Sequence, residues 1–356
     1  MCTRDTLQQI RQNNEKSHRP PPRPMTDHDS ERPFSDLTPD RIQDAIEALG
    51  MLGDGRLLAL NSYENRVWQV GLEAGDPVIV KFYRPGRWSD EAIAEEHRFS
   101  RELADSGLSV VAPVSINGNT LFHHDRYRFA VFPRQGGHAP ELSHKPTLTA
   151  LGSALGRLHA IGAAAAFEHR QTCSVRLWGH EPVQWLLDNQ WLPGHLETAF
   201  SGLCEHLLEA IEATWARAGE FRRIRLHGDC HPGNILWRND RAHFVDLDDC
   251  LTGPAIQDLW MLISGERQER EQQLGWLLQE YRLFHDFDAR QLHLIEPLRT
   301  LRMLHHQAWL ARRWNDPAFP RAFPWFGEQR HWENLIGQLR EQLDQLQQPP
   351  LELPPN

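Results

Sequence analysis

A chain of 356 residues with a net charge of −10 is long enough for two domains or one two-lobed unit, and its acidity excludes generic binding to nucleic acid or anionic membranes. No apolar run approaches the roughly 18 residues of a membrane span, and the polar start lacks the apolar stretch of an export signal. Five cysteines without paired spacing fit a reducing compartment, so the chain is expected to be cytoplasmic.

Residues 1–33 read as a disordered tail, polar throughout and broken by the run Pro20-Pro21-Pro22-Arg23-Pro24. Met25 follows directly and is the expected translation start, which the intact mass of the native protein checks. Order is expected from Thr38-Pro39-Asp40, a capping residue, a first-turn proline and an acidic first turn. Ile42, Ala45, Ile46 and Leu49 mark one helical face, and Gly50 stops the helix. Strands are predicted at Arg56–Leu60, Arg66–Leu72 and Pro77–Tyr83. A helix opens at Ser89 with Ile93, Phe99 and Leu103 inward and ends at Gly107, followed by strands near Ala112–Ile116 and Tyr127–Phe132. Five strands and a helix over residues 34–135 make an N-terminal nucleotide-binding lobe, and Gly136–Pro140 is the expected hinge.

From 136 to 346 the pattern turns mainly helical, with leucine stripes at 148, 151, 155 and 158 and at 196, 203 and 207. Short strands interrupt it at Ile224–Leu226, Ile235–Arg238 and His243–Asp246, the last two joined by an Asn239-Asp240 turn. Residues 347–356 form a C-terminal tail. The fold class is α+β, a two-lobed kinase-like structure.

The run His227-Gly228-Asp229-Cys230-His231-Pro232-Gly233-Asn234, followed twelve residues later by Asp246, carries the chemistry. Asp-x-x-x-x-Asn is the spacing of a kinase catalytic loop. Asp229 would take the proton of an acceptor hydroxyl, while Asn234 and Asp246 offer oxygens to hard Mg²⁺. An Asx-rich turn explains the loop but not the timed Asp246. A metal-hydrolase reading, with His227, Asp229, His231 and Asp246 as ligands, leaves the sheet lobe without a purpose.

Of 38 basic residues only three are lysines, and Lys81 sits in the apolar strand Pro-Val-Ile-Val-Lys-Phe-Tyr, where its ammonium suits ATP phosphates better than a guanidinium fork. Glu96, three residues before Phe99 on the next helix, is the expected partner of Lys81; Glu95 reads as a solvated helical carboxylate. The chain has no P-loop motif. The stretch Asn61-Ser62-Tyr63-Glu64-Asn65 stands where a glycine-rich loop would, so Ser62 and Asn65 are the candidates at the nucleotide phosphates. Asp258 either braces the catalytic loop through backbone N–H groups or caps a helix. Asp248 and Asp249 are solvated loop acids or outer partners of the metal. Cys230 and Cys250 flank the loop and read as buried inert thiols rather than a redox switch. The late tryptophans are expected to pack the large lobe.

Together these segments resemble the aminoglycoside phosphotransferase/choline kinase group, and more narrowly the stress response kinase A (RdoA/YihE) family of bacterial serine/threonine protein kinases. The carriers are residues 60–67, 80–88, 226–238, 245–249, 253–262 and 312–320, and the likeness spans about residues 35 to 353. The resemblance implies Asp229 as proton acceptor, Asn234 and Asp246 as magnesium ligands and Ser62 at the ATP phosphates. It also implies a monomeric, cytoplasmic enzyme that phosphorylates serine and threonine on proteins under envelope and oxidative stress. The long tail and Cys250 depart from the family pattern. Small-molecule phosphotransfer and nucleotide binding without turnover are the alternatives.

Overall fold

The computed structural model describes residues 33–353; the tail read over 1–33, Pro33 apart, and the Met25 start lie outside the described residues. Two compact units emerge. One comprises Pro33–Ser174, Ala213–Arg299 and the described residues from Gln348; the other comprises Val175–Glu212 and Thr300–Gln347.

In the first unit, helix α1 (Pro39–Glu47) is capped by the Thr38 side chain and buries Ile42, Ala45 and Ile46. Strands β1 (Gly53–Ala59), β2 (Arg66–Leu72), β3 (Val78–Phe82), β4 (Phe122–His124) and β5 (Tyr127–Pro133) form an antiparallel sheet in the order β1-β2-β3-β5-β4. Strand alternation decides where Lys81 goes. Val80 and Phe82 pack with Val70, Phe129, Val131 and the α1 residues on one face. Lys81, opposite Val67 and Ala130 in the register, takes the other face. Helix α2 (Asp90–Asp105), capped by Ser89, carries Ile93, which packs with Tyr83 and Ala130.

The strand expected at Ala112–Ile116 is not formed; the fourth strand lies at Phe122–His124 instead. Pro113 brings no N–H to a ladder, and the segment keeps only scattered bonds, such as Val114 N–H to the Val131 carbonyl at 2.7 Å. The segment at Gly136–Pro140 pairs with a later strand through His138 and Trp237.

Helix α3 (Lys145–Gly162) packs against α6 (Arg267–Tyr281) at close range. A Cβ at Gly152 would lie 1.9 Å from the Leu277 carbonyl oxygen, so glycine is what allows this approach. Two short ladders follow: β6 (Arg223–Leu226) with β9 (Leu251–Pro254), and β7 (Ile235–Arg238) with β8 (Arg241–Phe244). Asn239 and Asp240 both take positive φ, as a two-residue hairpin turn demands. Strand β8 ends two residues earlier than expected because Asp246 leaves the ladder in the left-handed region, φ 58°. Beyond residue 347, Arg267 holds the carbonyl of Pro349 at 2.9 Å and Leu351 is buried.

The second unit holds a π-helical turn (Arg176–His180), α4 (Glu181–Asp188), most of α5 (Gly194–Ala218) and α7 (Ile295–Arg312), then α8 (Ala318–Ala322) and α9 (Gln329–Leu346). Its interior is aromatic. Trp309 lies 5.0 Å from Phe319, Trp314 5.1 Å from Phe326, and Trp332 5.4 Å from Phe326, centroid to centroid. Trp332 is buried in this packing and Trp309 and Trp314 half-buried, while Trp325 is 40 % exposed.

Candidate active site

The loop from His227 to Asn234 joins β6 to β7 and is held from below by one carboxylate. Asp258, fully buried, accepts the backbone N–H of His227 at 2.8 Å and of Gly228 at 2.9 Å. It also lies 3.1 Å from His159 Nε2, whose other ring nitrogen is 2.8 Å from the Tyr281 hydroxyl. Of the two roles open to Asp258, the brace is the one observed. Gly228 has φ +86°, and a Cβ there would stand 2.1 Å from the Asp249 carbonyl oxygen, so no other residue fits. Gln257 donates to the Gly228 carbonyl at 2.8 Å, and His227 Nε2 donates to the Val245 carbonyl at 2.9 Å.

At the loop's far end the turn Pro232–Asn234 brings Asn234 back onto Asp229. The Asn234 amide donates to the Asp229 carbonyl at 3.0 Å and reaches its carboxylate at 3.4 Å. The Val245 N–H donates to the Asn234 backbone carbonyl at 3.0 Å, which ties this loop to the segment carrying Asp246. His231 Nε2 lies 3.4 Å from Asp229.

Asp246 is the neighbouring anion. For a residue with a side chain, the left-handed conformation costs on the order of 1–3 kcal/mol, and here it accompanies an Oδ1–Lys81 Nζ distance of 2.8 Å. Lys81 also lies 3.2 Å from Asp248 and 3.7 Å from Glu96. Burial alone would lower the Lys81 pKa, but these three carboxylates outweigh it and keep the ammonium charged. Burial likewise pushes Asp248 up, yet Arg87, Lys81 and Arg170 hold it below the ordinary carboxylate range.

Burial, opposed by Lys81, pushes Glu96 up to about 7. A carboxyl raised in this way favours the folded state below its ordinary value of 4.5, and that contribution is lost as pH rises through about 7. The difference in stability between wild type and Glu96→Gln is therefore expected to fall between pH 5 and pH 7.5, by at most roughly 1.4 kcal/mol per pH unit. Urea unfolding of both proteins across that range measures it, and parallel profiles would refute the assignment.

The expected residues thus fall into two connected groups. Lys81, Glu96 and Asp246 meet directly; Asp229 and Asn234 meet directly; the Val245 bond links the groups. Ser62 is not in contact with either, its hydroxyl donating to the Asn65 carbonyl at 3.2 Å. Asn65 is buried with both ends of its amide engaged: Nδ2 donates to Asp248 at 3.1 Å and Oδ1 accepts the Arg84 N–H at 3.0 Å. Its side chain holds the loop rather than facing open space.

Three readings need correction. Glu95 is not solvated: it is buried and accepts the N–H groups of Glu168, His169 and Arg170 at 2.7, 2.7 and 2.9 Å. Asp248 is not a solvated loop acid, being 3 % exposed. The hydrolase alternative fails because His227 is buried with Nε2 committed to Val245, and among the described residues no group of three His, Cys, Asp or Glu side chains is arranged around a metal. Arg87 and Arg170 escaped the sequence reading, since a lone arginine carries no local signal of a distant partner. Cys173, Cys204, Cys230 and Cys250 are buried free thiols; burial pushes Cys250 up to about 12 and Cys230 well above its ordinary value, so neither is a ready thiolate.

A hard cation with few protein ligands fits what remains. Asn234 commits its side-chain nitrogen to Asp229, which leaves its side-chain Oδ1 for a cation. The Asp246 carboxylate is 53 % exposed. Magnesium bound by one or two side chains and completed by phosphates and water suits such a pair.

The phosphotransferase enzyme family matches residues 56–293. Stress response kinase A of Escherichia coli O157:H7 is 44% identical over 322 residues, covering 90% of this chain and 97% of the relative. The serine/threonine protein kinase RdoA of Salmonella typhimurium (strain LT2) is 43% identical over the same shares. In fold, the chain is similar to the amicoumacin kinase hAmiN in complex with AMP-PNP and Ca²⁺ (TM-score 0.66, 19% identity, 87% of this chain and 94% of that one). It is also similar to the choline kinase of Cryptosporidium parvum Iowa II (TM-score 0.56, 11% identity, 88% and 96%).

Proposed function

The chain belongs to the phosphotransferase enzyme family, and from that premise we propose that it transfers the γ-phosphoryl group of ATP to serine and threonine hydroxyls of proteins. The observation that carries the reading is the Asn234–Asp229 hydrogen bond beside an Asp246–Lys81 ion pair of 2.8 Å. Phosphoryl transfer asks for positioned charge rather than covalent chemistry, and these side chains supply it.

In this reading Asp229 orients the acceptor hydroxyl and takes its proton. Lys81 grips the ATP phosphates as a point charge, with Glu96 and Asp248 holding its ammonium in place. Ser62 and the backbone of the 61–65 loop cover the phosphates, and Asn65 fixes that loop. Asn234 and Asp246 would hold magnesium, which when bound neutralises charge on the phosphates. Residues 34–135 serve as the nucleotide lobe and 136–346 as the catalytic and substrate lobe. No helix among the described residues is long and apolar enough to cross a membrane. A monomeric cytoplasmic enzyme completes the proposal, and its service in the stress response follows the name of the relative, stress response kinase A.

A second reading, a small-molecule acceptor, is favoured by one observation. The stretch from Asp246 to Asp258 is taken up by two short turns and by β9, paired along its length with β6, which leaves little chain there to dock a peptide. Incubation of the purified protein with γ-labelled ATP and cell extract separates the two. Label in protein bands that disappears with Asp246→Ala is the expected result. Label confined to small solutes, and equally dependent on Asp246, would favour the second reading. No Asp246-dependent label in either fraction would overturn both.

A further inference from the structure

We propose that Asp248 is a positioning residue, a buried latch that fastens the nucleotide loop and the phosphate-gripping lysine to the segment carrying Asp246. The proposal rests on the kinase reading and goes beyond it by assigning a role to a side chain that the catalytic-loop pattern does not include.

Asp248 is 3 % exposed and gathers donors, two of them cationic, from three parts of the chain. Its Oδ2 accepts from Asn65 Nδ2 at 3.1 Å, at the end of the 61–65 loop, and from Arg87 Nη1, between β3 and α2. Its Oδ1 lies 3.2 Å from Lys81 Nζ in β3. Arg170 donates to the Asp248 backbone carbonyl, to the Cys250 carbonyl at 2.9 Å, and stacks on Trp88 at 4.0 Å. Arg87 extends the latch: its second nitrogen takes Asp249, and its Nε lies 3.8 Å from Glu64. Glu64 is 2.9 Å from Arg84 Nε, while the Arg84 backbone N–H donates to Asn65 Oδ1. Glu64 and Asn65 are thus clamped from one side by residues 84–87 and from the other by Asp248.

Stability alone does not account for such an arrangement. Well-packed apolar side chains of similar volume are commonly at least as stabilising as a buried ion cluster. What charges provide here is geometry. The loop in front of β2 lacks the glycines that let other kinase loops fold over phosphates, and the latch fixes its height above Lys81 instead. It also resolves a conflict at Asp246, which serves both Lys81 and the cation site. Asp248 is the next carboxylate to Lys81, at 3.2 Å against 3.7 Å for Glu96, and its other oxygen is held by Asn65 and Arg87. Lys81 therefore keeps a fixed anion when Asp246 is engaged elsewhere.

The test is affinity for AMP-PNP with Mg²⁺, measured by calorimetry on the full chain. It needs no knowledge of the acceptor. Asp248→Asn keeps the volume but removes the charge on which Asn65, Lys81 and Arg87 converge, and is expected to weaken nucleotide binding about 10- to 100-fold. Asn65→Ala is expected to weaken it as well, and the double variant to lose little more than Asp248→Asn alone, because both act through one latch. A merely structural role would lower the melting temperature but leave the affinity of the folded fraction, and the additivity of the two changes, untouched. Folded Asp248→Asn with wild-type affinity, or fully additive losses, would overturn the proposal. Should Asp248→Asn not fold, Arg87→Gln and Asn65→Ala carry the test, and wild-type affinity in both would overturn it equally. Wild-type protein that binds no nucleotide at all would sink the kinase reading along with it, whereas normal wild-type binding with an unaffected Asp248→Asn sinks the latch alone.

Discussion

Asp229→Asn is expected to lower phosphotransfer by about 10²- to 10⁴-fold while leaving nucleotide affinity within about twofold of wild type. The substitution is nearly isosteric and spares the loop. The Asn234 amide donates chiefly to the Asp229 backbone carbonyl, at 3.0 Å, a bond that any residue at 229 retains. What disappears is the anion able to accept a proton from the acceptor hydroxyl. Lys81 is held by the carboxylates of Glu96, Asp246 and Asp248 rather than by Asp229, so the phosphate end of the site keeps its shape. Both kcat and kcat/KM should therefore fall by the same factor, the pattern of an interaction made only in the transition state. Label transfer from γ-labelled ATP, together with calorimetric binding of AMP-PNP, provides the two readings. Unchanged transfer would remove Asp229 from the chemistry. A parallel loss of nucleotide affinity would instead mean that the loop had moved.

The Asp229–Asn234–Asp246 half of the candidate site was legible in the sequence because its geometry is local. Asp229 and Asn234 share one turn, and Pro232-Gly233 dictates that they face each other; Asp246 follows at the end of the next hairpin, whose Asn239-Asp240 turn sets its distance. Lys81 stood out for a compositional reason, as a lysine in a chain that otherwise uses arginine, placed in an apolar strand. The supporting half was hidden because its partners are far apart in sequence. Arg87 reaches Asp248 across 161 residues, and Asn65 across 183. Glu95 was misread for a related reason. Helical spacing puts Glu96 on the inward face of α2, but α2 is covered on a second side by residues 168–170, which only the tertiary structure reveals. The displaced fourth strand belongs to the same class. Apolar content at 112–116 marked a strand, while the ladder went to Phe122–His124, where no proline interrupts the donors.

Asp258→Asn is expected to destabilise the protein by about 3–5 kcal/mol and to impair catalysis before nucleotide binding. The carboxylate accepts two adjacent backbone N–H groups and faces the His159 ring, all within a site of zero exposure. A carboxamide can present its oxygen to one of those N–H groups, but its own NH₂ then meets the other, leaving a buried donor without an acceptor. No rotation of the side chain satisfies both. The strain lands on His227 and Gly228, immediately before Asp229, and Gly228 has no room to shift because the Asp249 carbonyl lies against it. The Asp229 end of the site should therefore lose its register while the Lys81 cluster, tied to α2 and the 61–65 loop by independent bonds, stays intact. Urea unfolding gives the stability change, and kcat measured beside AMP-PNP affinity at a temperature where the variant is folded gives the split. Equal losses in both would place the Asp258 brace under the whole site rather than under its proton-accepting end. His159→Gln, which removes the outer contact of the same carboxylate together with the Tyr281 bond but spares the two backbone N–H bonds, is expected to leave the split in the same direction.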